Sequence, residues 1–252
     1  MCYGHLMTVL HIATYNIHKG FSHFNRRVVL HDLRNRLHEL GADIVFLQEV
    51  QGENIRHELR HHSYPAQPQH EFLAGQMWPH HAYGKNAVYD DGHHGNAILS
   101  RYPIVRWDNQ DVSAHRFESR GLLHCEIELP ETGRLLHCIC VHFGLSARGR
   151  GVQFNALAER IKQMVPADAP LVVAGDFNDW RNRARSLLAH ELQLHEAHEV
   201  SHGRLARSYP ASMPLLRMDR MYVRGLKIQR SNVHAWGKIS DHAALSTTLV
   251  LP

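Results

Sequence analysis

Three short apolar runs in this chain each end in oxygen-bearing side chains, and that repeated pattern constrains the fold more than any other feature. Ile12-Ala13-Thr14-Tyr15 leads to Asn16, Ile44-Val45-Phe46-Leu47-Gln48 to Glu49, and Leu171-Val172-Val173-Ala174-Gly175 to Asp176 and Asn178. Apolar runs this short read as buried strands, so each core strand delivers a polar group as it leaves the core. Converging oxygens are what a hard cation such as Mg²⁺ or Mn²⁺ requires, and carboxylates gathered without one repel. Taken singly, each segment also has a plainer role open to it. Asn178 or Asp179 would suit a helix cap, and Glu49 a helix N-terminus.

The rest of the pattern supplies the frame. Strands are predicted at 8–16, 44–47, 96–100, 121–129, 135–143, 171–174, 217–223, 228–233 and 244–250. Glu131-Thr132-Gly133 forms a hairpin turn between the two middle strands. Helical spacing covers 25–40, closed by Gly41, and 152–165, closed by Pro166, with a basic helix over 180–192. Residues 51–94, polar and rich in His and Pro, are expected to hold one short helix and a long loop. With no repeat or linker, one domain over residues 1–252 is expected. Strands outnumber helices, which suits two packed sheets with helices outside them rather than a doubly wound sheet.

Composition excludes several classes. An apolar fraction of 44% with 21% charged residues is that of a globular protein, not a disordered one. No apolar run reaches membrane-spanning length, no leader pattern precedes the first strand, and position 2 is Cys rather than a myristoylated Gly. A cytoplasmic protein is the expectation. The 24 histidines are scattered, and they lack the paired spacing of a zinc site. Cys138 and Cys140 lie two apart in one strand, so they are expected to be a buried, reduced pair. The net charge of +4 is a mild excess compatible with a phosphate-bearing substrate.

Ser240-Asp241-His242 adds an imidazole beside a carboxylate, a pairing that serves a base when neutral or grips phosphate when charged. Thr14-Tyr15-Asn16-Ile17-His18-Lys19-Gly20, Leu47-Gln48-Glu49-Val50, Gly95-Asn96-Ala97-Ile98-Leu99-Ser100-Arg101, Val141-His142-Phe143, Gly175-Asp176-Phe177-Asn178-Asp179 and Ser240-Asp241-His242 follow one another in this order. The set resembles the endonuclease/exonuclease/phosphatase superfamily, and within it the bacterial YbhP-like branch, from residue 8 almost to the C-terminus.

The resemblance implies a four-layer α/β/β/α sandwich and a divalent metal. It casts Glu49 as the principal metal-ligating Glu, with Asn16 and Asp241 beside it. Asp176 and Asn178 match the pair that positions water and phosphate, and His242 matches the phosphate-contacting His. His142 matches the His after the middle strand of phosphodiesterase-like members, and Asp219 the Asp that supports the histidine. Asn96 and Arg120 are candidate substrate contacts. Arg148 and Arg150, between the His142 strand and the next helix, are candidates for the site mouth. The base is Asp176 or His242; sequence does not choose between them. Two positions depart from the pattern: His18 replaces an acidic or amide residue common in nucleases, and Arg220 follows Asp219 in place of an aromatic residue or His. The expected activity is phosphodiester hydrolysis. The basic balance favours DNA or RNA as substrate, whereas His142 and the departure at His18 favour a phospholipid headgroup or small phosphoester. A non-catalytic scaffold is the third reading.

Overall fold

The computed structural model describes residues 8–252 apart from 23–26, 62, 131, 183–186 and 238. Twelve strands among the described residues form two six-stranded mixed sheets packed face to face. In chain order the elements are β1 (Val9–Asn16), α1 (Leu30–Leu40), β2 (Ile44–Asn54), α2 (Ile55–Arg60), α3 (Gln69–Ala74), β3 (His80–Tyr89), β4 (Gly92–Ser100), β5 (Ile104–Asp111), β6 (Gly121–Glu128) and β7 (Leu135–His142). There follow α4 (Ala147–Met164), β8 (Leu171–Asp176), β9 (His195–Glu196), α5 (Ala197–His202), β10 (Asp219–Arg224), β11 (Lys227–His234) and β12 (Ala244–Val250). One sheet runs β11-β12-β1-β2-β4-β3 and the other β5-β6-β7-β8-β10-β9.

Period-two alternation sorts the strand residues into layers. Leu10, Ile12, Ile44 and Phe46 meet Leu123, Cys125, Cys138 and Val172 between the sheets. The opposite faces of β1 and β2, with Ala13, Tyr15, Val45 and Leu47, are covered by Leu30, Leu33 and Leu37 of α1. On the other side Phe154, Leu157 and Ile161 of α4 pack on Ile139, Val141 and Val173. Cys125, Cys138 and Cys140 are buried free thiols; Cys2 lies outside the described residues. Among the described residues, no helix is long and apolar enough to cross a membrane.

Several boundaries differ from the sequence expectation. The helix expected over 152–165 begins at Ala147, because Ser146 caps it by accepting from the Gly149 N–H at 3.0 Å. The first helix starts only at Leu30 and ends as expected on Gly41, in the left-handed region at φ 65°. The span 51–94 holds two short helices and the β3–β4 hairpin rather than a long loop. The helix expected from 180 is absent at 180–182, and one π-helical turn covers Leu187–Glu191. Arg183 and Arg185 of that basic segment lie outside the described residues.

Between β6 and β7 a neutral imidazole chain is buried under α4. Arg160 Nε donates to His124 Nδ1 at 3.3 Å, and His124 Nε2 lies 3.0 Å from His137 Nδ1. Arg160 in turn meets Asp108 at 2.7 Å. Burial, reinforced by the Arg160 charge, pushes His124 down to about 3. An unfolded histidine titrates near 6.5, so the folded state binds fewer protons below that value. The stabilisation is therefore complete above about pH 6.5 and is lost as pH falls towards about 3. Urea melts are expected to show a midpoint that drops between pH 7.5 and 5, with a smaller drop in a His124→Gln variant. An equal drop in both would assign the acid sensitivity elsewhere.

Candidate active site

Parallel pairing sets the site. β1 pairs with β2 and β7 with β8, so the ends carrying Asn16, His142 and Asp176 open in one direction, and antiparallel β10 places Asp219 opposite Asp176. The core between the sheets turns polar towards this end. Gln48 Nε2 lies 3.2 Å from Thr14 Oγ1 and 3.2 Å from Cys140 Sγ. Asn96 Nδ2 bridges the sheets by donating to Gly121 O at 3.1 Å and Cys140 O at 3.4 Å.

Backbone geometry then aims the carboxylates. β2 does not end before Glu49 but bulges there between Leu47 and Val50, and Glu49 takes φ 57°. The bulge re-aims its side chain out of the pleat, and the helix-terminus role does not arise. Gly175 precedes Asp176 at φ 146°, and a Cβ there would stand 1.9 Å from Val141 O, so only glycine fits. Asn178, at φ 49°, caps no helix; its Nδ2 donates to Phe143 O at 2.9 Å and its N–H to Asp176 Oδ1 at 2.9 Å.

The resulting cluster is tightly linked. Asn16 Nδ2 donates to Asp176 Oδ2 at 3.2 Å and reaches Glu49 Oε1 at 3.5 Å, while Asn16 Oδ1 accepts the His18 N–H at 3.1 Å. His242 Nδ1 sits 2.8 Å from Asp219 Oδ2, and its Nε2 is 3.7 Å from Asp176 Oδ2. His142 Nε2 stands 3.6 Å from the same oxygen, a contact too long for a hydrogen bond. Ser240 Oγ donates to Asn16 O at 2.8 Å and accepts the His242 N–H at 3.2 Å, pinning the C-terminal motif onto β1.

Electrostatics divide the two histidines. Burial opposes charge on His242, but the Asp219 and Asp176 carboxylates override it and push His242 up to about 10. His142 is held well below the usual imidazole range by burial and then by the Arg120 charge, so it is neutral. Burial pushes Asp176 up to about 6, against the pull of the His242 cation.

Two donor sets present themselves to a cation. Asp176, Asp219 and His242 offer atoms within 4.8 Å of one another, yet Asp219 Oδ2 and His242 Nδ1 are already spent on each other. Glu49 and Asp241 are the wetter pair, and both face His18 Nδ1, at 4.0 and 3.4 Å. Their partly solvated oxygens fit a hard cation that also keeps water and substrate oxygens. Asn16 sits between the two sets.

Of the remaining expected contacts, Arg120 lies near enough to His142 and His94 for its charge to bear on both, and its Nε is buried without a partner. Arg148 is exposed beyond the cluster. Arg150 is buried instead of open at the mouth. Its Nη1 donates to Gly144 O at 3.1 Å and Leu145 O at 2.6 Å, and the guanidinium stacks 4.9 Å over Trp180. Sequence reasoning missed His94, whose Nδ1 is buried without a partner and which burial pushes down to about 4. It also missed Tyr209, whose ring centroid is 5.0 Å from that of His242. His94 directly precedes the Gly95-Asn96-Ala97 motif, which could have flagged it, but residues 203–218 carry no periodic signal that would have pointed to Tyr209.

Comparison with known proteins bears on the family and the fold. The chain is 46% identical over 243 residues to the uncharacterized protein YbhP of Escherichia coli (strain K12), covering 95% of this chain and 96% of that one. Among solved structures, an endonuclease/exonuclease/phosphatase from Beutenbergia cavernae DSM 12333 superposes with a TM-score of 0.75 at 19% identity, covering 96% of this chain and 72% of that one. The mannosyl-6-phosphatase of Bacteroides thetaiotaomicron VPI-5482 gives 0.74 at 16% identity, with 96% and 100% covered. Truncated Caenorhabditis elegans TDP2 gives 0.70 at 17% identity, with 96% and 97% covered. At such identities the structures speak for the fold alone. The family's sequence pattern matches residues 13–242, and the chain belongs to the Endonuclease/Exonuclease/phosphatase family.

Proposed function

We propose that this protein hydrolyses phosphodiesters with a divalent cation, Mg²⁺ or Mn²⁺. The observation that carries the reading is the charged His242, tied to Asp219 at 2.8 Å and facing the buried Asp176 carboxylate. An imidazole charged at neutral pH holds the phosphoryl oxygens and is no base, which leaves proton abstraction from the attacking water to Asp176. Asn178 fixes Asp176 Oδ1 through its N–H and Asn16 Nδ2 holds Oδ2, whose second lone pair is assigned to the water. Asn16, expected as a ligand, is assigned to positioning, because its oxygen accepts the His18 amide while its Nδ2 holds both carboxylates. Glu49 and Asp241 would hold the cation, which when bound neutralises charge on a non-bridging phosphoryl oxygen. Arg120 is assigned to the substrate phosphate and His142 to a neutral contact beside it.

Turnover of bis-p-nitrophenyl phosphate is expected to vanish with EDTA and return with Mn²⁺ or Mg²⁺. In differential scanning calorimetry Mn²⁺ is expected to raise the Tm of the wild type, since a ligand that binds only the native state stabilises it. Glu49→Ala is expected to lose both the activity and the Mn²⁺-dependent Tm rise. An unchanged Tm response would move the cation to the Asp176–Asp219–His242 set. Nucleic acid is the substrate that the basic balance favours. The headgroup reading has its own observation in the rim of the site.

A further inference from the structure

The most exposed apolar side chains of this protein gather at one end of the sheets. Among the described residues the five most exposed large ones are Leu59 (82%), Phe117 (81%), Val88 (70%), Leu145 (66%) and Met213 (63%). All five lie beyond the strand ends that carry the catalytic cluster. Leu59 is on α2, directly after β2, and Val88 is at the tip of the β3–β4 hairpin. Ile55 N–H donates to Asp91 O at 3.0 Å and Arg56 meets Asp91 at 3.1 Å, which brings those two tips together. Phe117 is in the loop before β6, and Leu145 follows β7. Glu118 joins their loops by accepting from Ala114 N–H at 3.1 Å and Gln153 Nε2 at 2.8 Å. Met213 lies in the segment that closes on the site through Ala211 N–H and Asp241 O at 2.7 Å. Single exposed apolar residues need no explanation, but a set confined to the mouth of one site does.

Cations are interleaved with these tips. Arg60, Arg116, Arg148 and Arg217 are exposed on the same elements, and none has a carboxylate partner among the described residues. Arg116 lies 4.5 Å over the Phe117 ring, so the most exposed aromatic tip carries its own charge. Aliphatic ends such as Leu59, Val88, Leu145 and Met213 offer no π-face on which a base would stack. They are suited to entering an acyl-chain layer while arginines meet anionic headgroups.

We infer that this rim docks the mouth of the site onto an anionic phospholipid surface, so that the phosphodiesters presented to the cluster are those of lipid headgroups. The inference rests on the phosphodiesterase reading for what happens after docking, but not for docking itself.

The test is flotation of the full-length protein with phosphatidylcholine vesicles, with and without phosphatidylglycerol, alongside turnover of soluble bis-p-nitrophenyl phosphate. Wild type is expected to float with the anionic vesicles, and less so at high salt. Leu59→Ser with Phe117→Ser is expected to weaken binding by roughly tenfold per side chain. Arg60→Gln with Arg116→Gln is expected to weaken it by roughly fivefold per charge. Both pairs should leave soluble turnover unchanged, which also shows that they fold. Failure of wild type to float, or flotation unaffected by both pairs, overturns the inference. So does vesicle-free binding of single-stranded oligonucleotide that Phe117→Ser abolishes, which would make the rim a base-stacking surface. Flotation with no soluble turnover would leave the docking surface standing and sink the hydrolytic reading instead.

Discussion

Asp176→Asn is expected to lower turnover of a soluble phosphodiester by roughly a thousandfold, within the range for loss of a positioned general base. The change keeps the shape of a side chain that is almost wholly buried, and its Oδ1 can still accept the Asn178 N–H. Folding is therefore retained. Burial already disfavours the Asp176 charge, so a neutral amide there leaves the metal-free protein at least as stable as wild type. The wild-type rate should rise with pH as Asp176 ionises near 6 and fall as His242 loses its proton near 10. Stopped-time assays across that range, beside urea melts of both proteins, check each half. A variant within tenfold of wild type would remove Asp176 from the chemistry. A collapsed variant would show it to be structural.

The second large effect belongs to a residue with no contact to the reacting atoms. Asp219→Asn replaces the carboxylate that meets His242 Nδ1 at 2.8 Å and is the foremost group raising its pKa. Without that charge, burial is opposed only by Asp176 and the more distant Asp241, and His242 turns neutral at lower pH, so the falling limb of the rate profile moves down from about 10. A loss of roughly 10²- to 10⁴-fold in kcat at neutral pH is expected, as for other carboxylates that fix a catalytic imidazole. The diagnostic is the profile rather than the loss. If His242 were held only sterically, the rate would fall uniformly and the limb would stay in place. Asp219→Glu, which restores the charge at a longer reach, should recover the limb in part.

The strands that carry the site were readable because they are buried on both faces. Continuous runs such as Ile44–Leu47 have no competing interpretation once flanked by Gly and polar residues. β3 and β5 were not readable, because both are sheet edges whose residues are mostly exposed or half-buried, and no alternation survives there. The second half of β2 was missed for a related reason: past Glu49 the chain carries Gln51, Glu53 and Asn54, polar residues that do not look like strand. Within the site, the members that end core strands were legible from those strands, and the family resemblance supplied their company. His94 and Tyr209 escaped because a hairpin and an irregular segment deliver them, and placement there depends on tertiary contacts alone. Arg150 was misplaced for the opposite reason. Its charge suggested a substrate, but the nearer carbonyls of Gly144 and Leu145 took its donors.

The four non-glycine residues in left-handed backbone around the cluster, His18, Lys19, Glu49 and Asn178, bear on how such a protein changes over generations. Each holds a conformation that a glycine would adopt at less cost, and Glu49 does so while placing a carboxylate beside others. At Glu49, replacement by glycine removes backbone strain and a carboxylate's repulsion together, so the fold tolerates the loss of its own chemistry. The consequence is an asymmetry between function and stability: a Glu49→Gly protein is expected to be inert and yet sturdier than the one that carries the site.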